Sequence, residues 1–289
     1  MKAKPVVLAL VTAIAGWAAI ALTHPAAIAG TVAQSPTGAM IFVTANIGRK
    51  YDSGSKPTEV MKRLRHNLND VSNGHPRFIG WQEIDEDDPA AELNILKATY
   101  PSDGGWQRTL YRERPDGKRE ALKVPTVAHD AQKSDQRIAF GSSGMAHVSP
   151  TRWITVTRFK NQNLSEINTH FIAGAFDDCQ NCPERRKRWS ALWDHLKEQV
   201  AKEHSAGFNV VVTGDFNRRA GSGGWSPANV HPSAHLVKSG GLDHIVAVPR
   251  AGWNVVKPRY ANGSFKQGAW GIGIDSHKAQ WVTLRFLDK

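Results

Sequence analysis

Apolar residues recur along the chain with two alternating periods, and these predict its elements. AMIFVTANI (39–47) is a compact apolar run rich in β-branched and aromatic side chains, so a buried strand is expected there. PTEVMKRLRHNL (57–68) changes to a helical period, with Pro57 at the helix start and Val60, Leu64 and Leu68 on one face. RFIGWQEI (77–84) reads as a second strand and PAAELNILKATY (89–100) as a second helix. From about 104 to 171 the pattern is of strands, clearest in TRWITVTRF (151–159) and SEINTHFI (165–172). PERRKRWSALWDHLKEQVAKEH (183–204) is the longest helix, with Trp189, Leu192, Leu196 and Val200 as its inner stripe. Strands FNVVVTGDFN (208–217), GLDHIVAV (241–248) and QWVTLRFL (280–287) close the chain.

Helices alternating with strands early and late, around a strand-rich middle, predict a mixed α/β domain. Two sheets packed face to face with helices outside would cover every apolar face. A chain of 289 residues, 40% hydrophobic and 22% charged, can bury such a core in one domain. That domain is assigned to 38–289, after a linker at 30–37. The first 29 residues differ: Lys2 and Lys4, an uncharged stretch from Pro5 to Thr23, then Ala27-Ile28-Ala29. This order of basic, apolar and small residues is that of a secretory signal peptide cleaved after Ala29, and an exported protein is expected. No later apolar run is long enough to span a bilayer, so no stable membrane anchor is expected, and the domain is taken as a monomer.

Charge narrows the partners. The formal balance is +11 (37 − 26), and +9 (35 − 26) without the leader, a bias towards polyanions such as nucleic acid or anionic lipid. Two cysteines, Cys179 and Cys182, are too few for a zinc site, and in an oxidising compartment they read as a short-loop disulfide.

Candidate chemistry collects where strands stop. FVTAN ends at Asn46, FIGWQE at Glu83, EINTH at His170, and VVVTGDFN at Asp215 and Asn217. GLDHI carries Asp243, and GIDSH carries Asp275 and His277. One such residue is usually a cap or a turn former. Six such points in one chain exceed what capping requires. If they converge, they offer carboxylates for a hard divalent cation, imidazoles for proton transfer and amides to hold oxygens, a set suited to hydrolysing a phosphate ester.

The motifs TAN (44–46), GWQE (80–83), NTHF (168–171), GDFN (214–217), LDHI (242–245) and SHKAQWVTL (276–284) run in that order over nearly the whole domain. In this the sequence resembles the endonuclease/exonuclease/phosphatase superfamily, to which deoxyribonuclease I belongs. The resemblance implies a four-layer α/β/β/α sandwich with its site where the two central sheets meet at one edge. It implies a divalent metal, magnesium in most members with manganese or calcium as alternatives, held chiefly by Glu83 with Asn46 close by. His277 would be the general base, oriented by Asp243. His170, Asp215 and Asn217 would hold the scissile phosphate, and Arg152 lies where related nucleases carry a phosphate-binding arginine. The family ending is Ser-Asp-His, whereas this chain has Asp275-Ser276-His277. The expected metal carboxylate has moved back one residue, and Asp275 must reach the site from a turn.

The same scaffold serves nucleases, sphingomyelinases and small-phosphoester phosphatases, so fold does not choose the substrate. The basic charge and Arg218-Arg219, directly after GDFN, favour a nucleic-acid backbone. Trp225, Trp253 and Trp270 sit in glycine-rich stretches, where they would stack on bases or pack their own loops. A lipid hydrolase should carry an exposed apolar hairpin, and no loop has such a run. A non-catalytic binding module is the remaining alternative.

Overall fold

The computed structural model describes residues 38–48, 57–84, 91–176, 182–274 and 277–289, with backbone alone at 272–274. The expected leader and linker, Cys179 and Asp275 lie outside these residues. In chain order the elements are β1 (Met40–Asn46), α1 (Pro57–Ser72), β2 (Arg77–Gln82), α2 (Ala91–Thr99), β3 (Trp106–Glu113), β4 (Arg119–His129), β5 (Asp135–Ser142) and β6 (Arg152–Phe159). They continue with β7 (Leu164–His170), α3 (Pro183–Ser205), β8 (Asn209–Asp215), β9 (His235–Gly240), β10 (Asp243–Val248), β11 (Trp253–Val256), β12 (Gln267–Ile274) and β13 (His277–Asp288).

Two mixed sheets result. One has the order β11-β13-β1-β2-β4-β3, with β12 paired to β13, and the other β5-β6-β7-β8-β10-β9. Each is antiparallel except for one central parallel pair, β1 with β2 and β7 with β8. A parallel pair cannot be closed by a tight turn, so each takes a helical crossover, α1 for the first and α3 for the second. Both crossovers leave the carboxyl ends of their parallel strands at the same end of the sandwich.

Alternation along the strands sorts the side chains into three cores. Ile41, Val43, Ile79 and Trp81 face outward beneath Val60, Leu64 and Leu68 of α1. Ile167, Val210 and Val212 face outward beneath Trp189, Leu192, Leu196 and Val200 of α3, all four expected to be buried. Each such fully buried side chain contributes about 1.5–3 kcal/mol. Between the sheets lie Met40, Phe42, Phe78, Phe159, Leu164, Val211 and Ile245, with Phe42 stacked on Phe78 at 5.0 Å.

This inner layer grades from apolar to polar along every central strand. Met40 and Phe42 give way to Thr44 and Asn46, Phe78 to Gln82, Leu164 to Asn168 and His170, and Val211 to Thr213 and Asp215. The buried polar groups bond across the layer. Gln82 Nε2 donates to Asn168 Oδ1 (2.7 Å), Asn168 Nδ2 donates to the Trp81 and Pro125 carbonyls (2.7 and 3.0 Å), and Thr44 Oγ1 donates to Gln82 Oε1 (3.2 Å). Desolvation is thereby compensated, and the polar end of the sandwich stays closed to within one residue of its edge.

Three strands fall outside the sequence pattern. β9, β11 and β12 show no strand period of their own, because they are short or glycine-rich and owe their form to partners: β9 pairs with β10, and β11 and β12 both pair with β13. Trp270, read as a loop residue, lies in β12 and stacks on Trp281 at 5.3 Å. Cys182 is disulfide-bonded at the start of α3, in keeping with the expected short-loop bridge.

Candidate active site

Register decides which strand-end residues meet. Asn46 pairs with Gln82, so Glu83 is the first residue beyond β2. It takes φ 62°, a left-handed conformation uncommon for a side chain of this kind. The turn keeps its carboxylate at the sheet edge, where the side chain is 15% exposed. In the second sheet His170 pairs with Asp215, and Asp215 with Asp243, so three chemistry-bearing residues stand abreast on adjacent strands. Asn217, also left-handed at φ 47°, turns the chain back: its N–H donates to Asp215 Oδ1 (2.7 Å) and its Nδ2 to the Phe171 carbonyl (2.9 Å).

Asn46 joins the two sheets. Its Nδ2 donates to Asp215 Oδ2 (2.8 Å) and to Glu83 Oε1 (3.2 Å), while its Oδ1 accepts from the Gly48 N–H (2.8 Å). His277 opens β13, and its Nδ1 donates to Asp243 Oδ2 at 2.9 Å. That leaves Nε2 directed into the site, 3.9 Å from Asp215 Oδ2. Ligating atoms of Glu83, His170 and Asp215 lie within 4.8 Å of one another, as do those of Asp215, Asp243 and His277. Asp215 belongs to both groups, so the two form one site.

The architecture matches solved structures. An endonuclease/exonuclease/phosphatase protein of Bacteroides vulgatus superposes with TM-score 0.56 at 15% identity, over 87% of this chain and 100% of that one. The human Nocturnin catalytic domain with bound sulfate anion superposes at 0.52 and 14% identity, over 86% and 94%. D. rerio TDP2 complexed with single-strand DNA product gives 0.50 and 12%, over 86% and 99%. The fold is that of the endonuclease/exonuclease/phosphatase superfamily. No family model matches the sequence, and no curated protein is similar to it.

Within the endonuclease/exonuclease/phosphatase fold, Asn46, Glu83, His170, Asp215, Asn217, Asp243 and His277 all meet at the sheet ends. The expected sandwich and its mixed sheets are present. Asp275 lies between the paired residues Ile274 and His277 but outside the described residues.

Arg152 and Arg218 both make contacts within the protein. Arg152 is buried, and its Nη1 lies 2.7 Å from His170 Nδ1. Arginine only donates, so Nδ1 accepts and a neutral ring carries its proton on Nε2, which also has Asn217 Nδ2 3.2 Å away. That Nε2–H lies 3.5 Å from Glu83 Oε1 and 3.7 Å from Asp215 Oδ2. Arg152 thus sets the tautomer of His170, which a strand-opening arginine in the sequence does not reveal. Arg218 lays its guanidinium over Phe176 at 3.9 Å, with Trp225 at 5.0 Å and Trp189 at 5.4 Å. Trp225 is buried in that cluster and is closed to a base. Trp253 lies in β11 with Arg250 over its ring at 3.9 Å.

Electrostatics at the site follow from crowded carboxylates. Burial pushes the Asp243 carboxyl up to about 7, with the charge of Asp215 adding to the rise and the His277 hydrogen bond opposing it. Burial pulls His277 down, but its hydrogen bond to Asp243 and the charges of Asp215, Asp243 and Glu83 outweigh that and raise it to about 9. Among the described residues no lysine or arginine forms an ion pair with Glu83, Asp215 or Asp243; histidines are their only cationic partners.

Proposed function

We propose that the protein is an exported, metal-dependent phosphodiesterase that cleaves nucleic acids. The observation that carries the reading is the meeting of Glu83, Asp215 and Asn46 with an Asp243–His277 pair and the Nε2–H of His170 at one end of the sandwich. The donor set suits a hard divalent cation: two carboxylates from different sheets converge on one amide, with no lysine or arginine among the described residues paired to them. Glu83 and Asp215 would hold it, with Asn46 bracing both carboxylates through its Nδ2–H and Asp275 from the sequence, and magnesium is the ion proposed. Such an ion supplies charge stabilisation for the phosphoryl oxygens.

The chain's own groups do the rest. Asp243 holds the Nδ1–H of His277, so Nε2 can take the proton of an attacking water. His170 Nε2–H, its tautomer set by Arg152, and the amide of Asn217 supply donors for the phosphate oxygens as negative charge develops. Placing these donors before the reaction avoids reorganising them at the transition state.

Nucleic acid is favoured over a lipid headgroup by the charge of +11, or +9 (35 − 26) after loss of the leader. The sulfate in Nocturnin and the single-strand DNA in TDP2 belong to those proteins, and they support the same class of ligand here. The test is plasmid nicking by the mature protein with magnesium, with EDTA, and with His277→Ala. Nicking lost in both controls, by about 10²–10⁴-fold for the variant, supports the reading. An intact plasmid and intact RNA under every condition reject it, and hydrolysis of sphingomyelin instead would assign the site to lipid.

A further inference from the structure

The proposed catalytic end is not the molecule's only anion-directed surface. Strands β3 and β5 are the free edges of their sheets on the same side of the sandwich. Beside them lies a cleft of about 560 Å³ lined by Lys97, Arg108, Arg112, Arg119 and Lys133, with Glu113 as its one acidic wall residue. Arg112 is paired with Glu120. Among the described residues the other four cations form no ion pair, although Glu113 stands opposite Arg119 in the β3–β4 register. Arg108 donates to the Lys97 and Tyr100 carbonyls (both 3.1 Å) and to Ser102 Oγ (3.3 Å). Lys133 donates to the Arg108 carbonyl (2.8 Å) and Gln136 Oε1 (2.9 Å), and Lys97 to Asn94 Oδ1 (3.3 Å). Lys97 and Arg119 lie over the Tyr111 ring at 4.9 and 6.0 Å.

Four cations facing a single carboxylate, Glu113, repel one another, and burial together with Arg108 already lowers the affinity of Lys133 for its proton. A partner that removes this repulsion must be anionic and extended. The cleft also leads to the site. β4 starts at Arg119 and runs antiparallel to β2, and the Ile84 N–H, one residue past Glu83, bonds the Lys123 carbonyl. Arg112 lies over Trp153 at 3.9 Å, and Trp153 adjoins Arg152, the residue that touches His170. Phe140, 47% exposed, packs edge-on against Trp153 at 5.6 Å and leaves an aromatic face at the surface for a base.

We propose that the β3/β5 cleft binds the phosphate backbone of a single-stranded nucleic-acid segment flanking the bond to be cut, with Lys97, Arg108, Arg119 and Lys133 as its phosphate contacts. This rests on the nuclease reading for its link to catalysis, but the binding itself does not require cleavage. Lys97→Ala/Arg119→Ala removes two phosphate contacts far from the reacting groups. A second double variant, Lys187→Ala/Lys202→Ala, removes the same charge from the exposed face of α3.

Binding of a labelled single-stranded oligonucleotide is measured in EDTA across a salt series, and turnover with magnesium on the oligonucleotide and on bis(p-nitrophenyl) phosphate. The cleft variant should bind more weakly, with a log–log salt slope shallower by about 1.4, two contacts at about 0.7 each. Its KM for the oligonucleotide should rise at unchanged kcat, with small-ester turnover intact and the α3 variant like wild type. Equal weakening in both variants, or in neither, overturns the cleft and leaves the nuclease reading standing if wild type cuts. Wild type that binds through the cleft but cuts no nucleic acid keeps the cleft and rejects the nuclease reading. Wild type that neither binds nor cuts rejects both.

Discussion

Asp243 shows how one buried carboxylate sets the chemistry of its neighbour. Its Oδ2 accepts from His277, while its Oδ1 is buried with no hydrogen-bond partner among the described residues, and both facts keep the pair responsive to charge. His277 acts as a base only when deprotonated, and its affinity for the proton is raised to about 9. The acid limb of kcat/KM against pH therefore rises as His277 loses its proton. Asp243→Asn removes a charge that holds the proton there, so the limb should move to lower pH, while kcat falls about 100-fold or more as the imidazole loses its anchor. A pH series on bis(p-nitrophenyl) phosphate measures both. A limb that stays in place would mean that Asp243 does not govern His277. The carboxylates and histidines of this site were legible as residues at strand ends. The tautomer set on His170 was not, because it depends on where the Arg152 guanidinium arrives from a neighbouring strand.

At the scale of the element, the strands carry features that alternation alone does not reveal. Glu166 lies on the inner face of β7 between Leu164 and Asn168, fully buried, with neither carboxylate oxygen bonded. Burial raises it from 4.5 to about 8. The folded state thus keeps a proton that the unfolded chain has lost, and stability falls as pH rises from about 4.5 to about 8. Glu166→Gln should flatten that slope and raise Tm at pH 8 and above; parallel Tm–pH curves for the two proteins would refute it. Gly80 in β2 presents the opposite constraint. A Cβ there would overlap Thr213 Oγ1 and the Asn168 amide across the inter-sheet layer. Gly80→Ala should therefore cost about 1–3 kcal/mol or more, read as a lower urea midpoint at unchanged m. The edge strands were the least legible elements: β11 has four residues and β12 four apolar side chains among glycines, so pairing to β13 rather than pattern forms them.

Across the whole molecule, the proposed export is open to test at the N-terminus. A leader of Lys2, Lys4 and an apolar stretch ending at Ala29 predicts that the chain expressed in a bacterial host with an export pathway loses 29 residues. Intact mass of the exported product, beginning at Gly30, checks this; retention of Met1 in the recovered protein would remove the basis for an exported enzyme.

The sequence by itself determined the local facts: which strands are apolar on both faces, where helices α1 and α3 begin and which stripe they bury, and that chemistry-bearing residues collect at strand ends. These follow from backbone periods of 2 and 3.6, which neighbouring residues set without help. Tertiary structure alone decided which ends meet. Asn46 donates to Asp215 from 169 positions away, and His277 reaches Asp243 across 34. Those contacts exist because two sheets with apolar inner faces must bury them against each other, and the strand registers within each sheet then leave the polar ends opposed. The same packing turned Arg218 and Trp225 inward and brought Lys97, Arg108, Arg119 and Lys133 together around one cleft, arrangements that no local pattern encodes.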